Sequence, residues 1–168
     1  MEPKWLQAAR QYLGQKEVPG PQSNPWILGL WATIPWIWST VARRDDTLMP
    51  WCGAFVRLCL TEAGLTPPKA WYRASEYVTY GINTLTPVVG AIGVIQNGKQ
   101  WHVGFVVGRD NAGNIIMLGG NQNDSVRLSA FKQSAFRAFR WPDALSIDKI
   151  PLAGSLPVLS AALSTSES

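Results

Sequence analysis

The sequence is short of the residues that build metal sites and disulfides: its 168 residues include one histidine and two cysteines. This set cannot form an ordinary structural zinc site without carboxylates, so we expect neither a metal ion nor another cofactor. Cys52 and Cys59 fall on one predicted helix, where their Cα atoms would lie about 10 Å apart, too far for a disulfide. Both thiols should be free, with Cys59 an inert residue on the apolar stripe.

Long apolar runs and runs of like charge are also missing. No stretch reaches the roughly 20 apolar residues of a membrane helix, which predicts no transmembrane segment. Because lysines and arginines are scattered, the net charge of +4 is only a weak indication of an anionic partner such as a cell-wall polymer or nucleic acid. The sequence contains no nucleic-acid-binding motif, and we expect no nucleic-acid partner.

The first residues, Met1 to Lys4, do not follow the basic and then apolar pattern of a secretory signal. This predicts a protein that is made in the cytoplasm without a signal peptide. If its substrate lies outside the cytoplasm, a membrane pore or a secretion machine must deliver it.

Hydrophobic residues make up 46% of the chain and charged residues 15%, which is typical of one globular domain. Apolar spacing and cap signals predict helices over 3–15, 24–31, 50–63 and 69–80. Strands are predicted over 91–96, 102–108, 114–119, 125–129 and 136–141. This order indicates an α+β fold with N-terminal helices packed on an antiparallel sheet of about five strands. We assign residues 1–150 to this domain and 151–168 to a loosely ordered C-terminal tail.

Tryptophan is abundant, with nine residues. Core packing is its commoner use, but a groove lined by at least two of them stays open as an alternative. The apolar stretch 34–38 has two interpretations as well. We favour a buried connection over an aromatic lip above a binding groove.

Cys52 stands out because of the residues around it, MPWCGAFV over 49–56. Proline is favoured at the first helical position, so Pro50 would place Cys52 in the first turn. Backbone N–H groups there lack helical partners, and with the positive helix end they favour a thiolate over a thiol. Cys52 also lies at the edge of the apolar stripe, where a side chain can be both held and reached. It is therefore the candidate nucleophile.

The only histidine, His102, begins a strand-like run and is the candidate base. A turn centred on residue 111 would place His102 opposite Gly120, and a one-residue bulge would bring Asn121 opposite instead. Asn121 could then hydrogen-bond one ring nitrogen and turn the other toward Cys52. Gly120 and its glycine neighbour would allow close approach of backbone or substrate.

Each of these residues also has a structural interpretation. A cysteine at a helix start is more often structural, a lone histidine often just ends a strand, and an asparagine after two glycines is usually a turn residue. Their combination favours catalysis. Gln122 competes with Asn121 for the ring, because only one of the two can face His102 in a regular strand.

Three motifs together resemble the NlpC/P60 and CHAP cysteine peptidase superfamily: WCGAF over 51–55, HVGFV over 102–106 and LGGNQ over 118–122. GQKE over 14–17, NP over 24–25 and DD over 45–46 are similar to a CHAP-like branch found in phage lysins and bacterial cell-wall toxins. The resemblance covers about residues 5–142. It implies a papain-like core and hydrolysis of amide bonds in peptidoglycan. By this resemblance Cys52 is the nucleophile, His102 the base and Asn121 the orienting residue.

One position departs from the family pattern. Many CHAP domains carry a glutamate two residues before the asparagine, where this chain has Gly119, and Gln122 is the available substitute. Glu17 and Asp46 could add polar groups near the site, although a structural salt bridge or cap is the more usual role. The nucleophile's own N–H commonly contributes to the family's oxyanion hole, which fits a helix start.

The leading hypothesis is a peptidoglycan amidase or endopeptidase that acts on the cell wall, as a phage lysin or an antibacterial toxin. A toxin would require an immunity protein as a partner, and a lysin would not. Two alternatives stay open: a non-catalytic wall-binding module with an incidental cysteine, and a cysteine peptidase that acts on proteins.

Overall fold

The computed structural model describes residues 2–34, 46–47 and 49–164. Within these ranges the α-helices are α1 Lys4–Gln11, α2 Pro25–Gly29 and α3 Cys52–Glu62. Short 3₁₀ helices lie at Ala74–Val78, Gln133–Ala135 and Ala144–Lys149. None of the helices in the described part of the chain is long and apolar enough to span a membrane.

The first two helices form where proline and cap signals predicted them, but both are shorter. α1 buries Trp5, Leu6 and Ala9 and ends at Gln11, four residues before the predicted end. α2 begins at Pro25, and the Asn24 side chain accepts a hydrogen bond from Trp26 N (2.9 Å). The 34–38 stretch lies outside the described residues except for Ile34, which is buried.

α3 begins two residues later than predicted. Its first helical hydrogen bond runs from Phe55 N to Trp51 O (2.9 Å), so Trp51 is the N-cap and Pro50 precedes the helix. The reason is a long-range contact: the Trp51 indole N–H donates to Glu17 Oε1 (2.8 Å), and the ring is fully buried. This anchor holds Trp51 at φ −105° and ψ 12°, outside helical geometry.

The predicted fourth helix over 69–80 is not an α-helix. Turns occupy its first half, and the 3₁₀ helix Ala74–Val78 follows. The backbone here is packed against α3: a Cβ added at Gly53 would lie 2.5 Å from Trp71 O. The Tyr77 hydroxyl then donates to Gly53 O (3.0 Å). Tertiary contacts with α3 therefore override the local helical pattern.

The strands form one antiparallel sheet in the order β1-β6-β2-β3-β4-β5. They are β1 Ile82–Asn83, β2 Ile92–Asn97, β3 Gln100–Arg109, β4 Ile115–Gly119, β5 Arg127–Phe131 and β6 Phe136–Trp141. This confirms the α+β fold, and the architecture is compatible with a papain-like CHAP fold. The five predicted strands are all present, and β1 was not predicted.

The β3–β4 hairpin sets the register of the site. Phe105 pairs with Leu118, and the register shifts by one residue between Val106 and Gly108. The sequence analysis gave such a bulge as an alternative register, and its turn centre was one residue early. Gly113 takes a left-handed φ of 86°, and Asn114 N donates to the Asp110 carboxylate (2.8 Å), which fixes the turn at 110–113.

The main core lies between the helices and one face of the sheet, where α3 packs on β3 and β4. Ile95, Met117 and Phe131 form a small second cluster. Most of the described tryptophans pack in the core, which is the use that the sequence analysis considered the commoner one. Trp5, Trp31, Trp51, Trp71 and Trp141 are all buried.

The C-terminal segment is hydrogen-bonded to the sheet at two places. Arg109 N donates to Pro157 O (2.9 Å), and Leu159 N donates back to Arg109 O (2.8 Å). Further on, Ala130 of β5 pairs with Leu163 in a parallel bridge. Its described part, to residue 164, is thus hydrogen-bonded to β3 and β5. The division into a domain of residues 1–150 and a loosely ordered tail stays a prediction.

Candidate active site

Cys52 is the first residue of α3. Because the helical hydrogen bonds begin at Phe55 N, the N–H groups of residues 52–54 precede that ladder. The Cys52 side chain is 4% exposed. The late helix start therefore keeps the thiol in the first turn, as predicted, and places it at the helix end itself.

His102 lies on β3 and pairs with Ile95 of β2. The ring is 3% exposed, and its centroid is 5.7 Å from that of Phe131. A histidine buried to this degree needs polar partners, since an unpaired ring nitrogen would lose its hydration.

Gln122 supplies a partner at one ring nitrogen. Its Oε1 lies 3.1 Å from His102 Nε2, and the whole side chain is inaccessible to solvent. Gln122 Nε2 donates to Met117 O (3.2 Å) and Arg127 O (2.6 Å). The contact at Nε2 thus comes from Gln122, which the sequence analysis gave as the alternative to Asn121 for orienting the ring.

Asn121 lies one residue before this contact. It is 5% exposed and has a left-handed φ of 58°. β4 ends at Gly119, so the chain is no longer a regular strand at 121–122. The rule that only one of the two amides can face His102 therefore does not apply here, and a role for Asn121 stays a prediction.

Gly119 and Gly120 connect the histidine side of the site with the cysteine side. A Cβ at Gly119 would lie 3.4 Å from His102 Nε2. A Cβ at Gly120 would lie 2.5 Å from the Trp51 ring and 2.7 Å from Phe55 Cβ. Consecutive residues of this segment thus lie close to the imidazole and to Trp51, the residue that precedes Cys52, which matches the close approach predicted for the two glycines.

The 14–17 segment holds the surrounding loop in place. Gly14 N donates to Val126 O (3.0 Å), and Glu17 N donates to Asp124 O (2.9 Å). The Glu17 carboxylate then accepts from the Trp51 indole. One short segment therefore links the loop after Gln122 to the start of α3.

Asp46 has a similar structural role. It is 3% exposed, and its Oδ2 accepts from Val18 N (3.1 Å) and Asn24 N. Asp46 N in turn donates to Ser23 Oγ (3.2 Å). These hydrogen bonds to backbone groups agree with the structural role expected of Asp46.

A cleft of about 470 Å³ lies beside His102. Its lining includes Trp101, Phe131, Lys132, Leu163 and Ser164. Among the residues that the structure describes, Cys52 does not line this cleft, and no three His, Cys, Asp or Glu side chains are grouped to hold a metal ion.

A helix that begins at a cysteine and packs on an antiparallel sheet is compatible with a papain-like CHAP fold. The family model of the CHAP domain matches residues 44–121. This match, which covers slightly less than half of the chain, confirms the resemblance to the NlpC/P60 and CHAP cysteine peptidase superfamily. CHAP domains are usually cysteine hydrolases or amidases. Comparison with curated proteins and with solved structures finds no match.

The match includes all three predicted site residues, and Asn121 is its last position. If Asn121 assists catalysis, Asn121→Ala should lower the rate of peptidoglycan hydrolysis by about tenfold, less than loss of the nucleophile does. Asn121→Gly is the matched variant, since glycine tolerates the left-handed φ without strain. Full activity in Asn121→Gly would show that the amide has no catalytic role.

Proposed function

We propose that this protein is a peptidoglycan hydrolase that cleaves an amide bond of the cell-wall peptide with Cys52 as its nucleophile. The observation that carries the proposal is the CHAP domain match over a segment that contains both Cys52 and His102. The buried amide at His102 Nε2 is in keeping with it, because a catalytic base needs a ring held in one orientation.

In this mechanism the Cys52 sulfur attacks the carbonyl carbon of the scissile amide, and His102 takes up the thiol proton. The Cys52 N–H, at the start of α3, donates to the oxyanion of the tetrahedral intermediate. His102 then gives its proton to the leaving amine, which leaves a thioester on Cys52. A water molecule deprotonated by His102 hydrolyses the thioester and restores the thiol. Asn121 is proposed to help orient the ring.

The cleft beside His102 offers one side of a substrate groove. Trp101 gives it a partly buried aromatic surface, and Lys132 adds an exposed positive charge. Both suit a glycopeptide polymer that carries carboxylates, as does the net charge of +4. Tryptophan thus serves the groove as well as the core in this account.

For the biological setting, we propose a phage lysin or an antibacterial toxin that reaches the periplasm through a pore or a secretion system. A toxin would be paired with an immunity protein that covers the site. Expression directed to the periplasm should then lyse the producing cell, while expression without a leader should not.

The proposal is tested by digesting purified peptidoglycan and identifying the released fragments by mass spectrometry. New amino termini within the stem peptide would identify an endopeptidase, and separation of intact stem peptides from the glycan would identify an amidase. Sedimentation of the protein with undigested peptidoglycan would instead support a wall-binding module. Digestion of unfolded proteins but not of peptidoglycan would support a protein-directed peptidase.

A further inference from the structure

The Gln122 carboxamide is held in one orientation. Its two N–H donors are used by Met117 O on β4 and Arg127 O on β5. If the amide were turned over, its oxygen would face these two carbonyl oxygens, and both would lose a donor in the protein interior. Oε1 must therefore be the atom that faces the imidazole.

This orientation decides which ring nitrogen carries the proton. Oε1 can only accept, so the 3.1 Å contact requires a proton on His102 Nε2. In the neutral ring the other nitrogen, Nδ1, is then the basic one. The position of a neutral amide thus selects the atom that can accept a proton from a thiol.

Gly119 provides the space that this contact needs. A Cβ there would lie 2.6 Å from Gln122 Oε1, which is closer than a Cβ atom approaches a non-bonded atom. Gly119 does not have a left-handed φ, so backbone conformation does not require a glycine at this position. The physical reason for the departure from the family pattern is steric: the Gln122 carboxamide fills the volume next to the ring.

We propose that Gln122 is the positioning residue of His102, that it keeps the neutral ring protonated at Nε2 and basic at Nδ1, and that Gly119 makes this possible. The catalytic consequence rests on the proposed function, but the protonated nitrogen does not. Loss of one buried hydrogen bond of this kind should reduce the ratio of the two neutral ring forms about five- to tenfold.

The test uses the fact that His102 is the only histidine. Imidazole nitrogens labelled with ¹⁵N therefore give the spectrum of this one ring, and protonated and unprotonated nitrogens have well-separated shifts. The full chain carrying Cys52→Ala is used, because without the Cys52 thiolate no ion pair can stabilise a doubly protonated ring. Spectra are recorded at a pH where the ring is neutral. We expect the proton on Nε2. A proton found mainly on Nδ1 would overturn the proposal without any further variant.

Two further substitutions, each made in the Cys52→Ala protein, test whether the Gln122 contact keeps the proton on His102 Nε2. Gly119→Ala should displace Oε1 while the bonds from Gln122 to Met117 and Arg127 remain, and Gln122→Met keeps the volume but removes all three bonds. Both should shift the ring toward the Nδ1-protonated form, and Gln11→Ala, at an exposed glutamine of α1, should not. If Gln122→Met does not fold, Gly119→Ala decides alone. An unchanged ring in folded Gly119→Ala would overturn the proposal.

Kinetics separates this inference from the proposed function. With Cys52 intact, Gly119→Ala should lower kcat about tenfold and leave KM nearly unchanged, since substrate contacts are kept. If the ring is protonated at Nε2 but peptidoglycan is not cut, the proposed function fails and the positioning role stands. If peptidoglycan is cut by a protein whose ring is protonated at Nδ1, the positioning role fails and the proposed function stands.

Discussion

Cys52→Ala should abolish hydrolysis, with a loss of about 10⁴-fold or more, while the domain stays folded. The reaction has no covalent path without the thiol, and removal of a nucleophile typically leaves only the contribution of binding and the oxyanion hole. The folding cost is small because a single sulfur atom is removed at the first residue of α3. Cys59→Ala is the matched control, because Cys59 lies fully buried in the core and should be dispensable for activity.

Alkylation should distinguish the two thiols in the same way. Burial raises the pKa of the Cys59 thiol well above its usual range, and the nearby Glu62 carboxylate raises it further. Cys59 therefore stays protonated and unreactive, whereas Cys52 lies at the start of α3, ahead of the first helical hydrogen bond. Iodoacetamide should label Cys52 first, and peptide mapping should show activity falling in step with that label. Equal labelling of both thiols with activity retained would refute the assignment of Cys52.

His102→Ala has the second largest expected effect, a loss of about 10²–10⁴-fold in rate. It removes the group that takes the thiol proton and returns it to the leaving amine. The variant also leaves Gln122 Oε1 buried without its ring donor, at a cost of about 1–3 kcal/mol in the free energy of unfolding.

Activity and thermal unfolding therefore need to be measured on the same His102→Ala sample. A modest decrease in melting temperature with nearly complete loss of activity is the expected pair of results. A protein that no longer folds, or one that keeps most of its activity, would indicate that His102 serves the structure rather than the reaction.

Strand positions follow from the sequence because alternating burial is a local pattern. The range 136–141 of β6 was predicted with its exact bounds, and the other four predicted strands differ by a few residues at their ends. β1, Ile82–Asn83, is too short to show an alternation and is defined only by its pairing with β6. Nothing in two residues could have indicated it.

Helix boundaries depended on contacts that the local sequence does not contain. Pro50 is a sound start signal, yet the helix begins at Cys52 because Glu17 and Gly120 hold the Trp51 indole. The failed helix over 69–80 has a similar cause in the close approach of Trp71 to Gly53. In each case a residue distant in sequence decides the local conformation.

The sequence indicated which segment lies near His102 but not which side chain contacts its ring. The strand register indicated that residues 120–121 lie opposite His102, and Gln122 is the competing residue that the sequence offers for the ring. The choice of Gln122 at Nε2 depends on the end of β4 at Gly119 and on two backbone carbonyls from different strands. A sequence pattern for a regular strand cannot contain that information, because the chain has already left strand geometry.

The most direct test of the account is the release of amino groups from purified peptidoglycan by the wild-type protein and by Cys52→Ala, with equal amounts of folded protein confirmed by circular dichroism. We predict steady release by the wild type, none above background by Cys52→Ala, and unchanged release by Cys59→Ala. Release by Cys52→Ala at the wild-type rate, or none by the wild type, would contradict a cysteine hydrolase that acts on the cell wall.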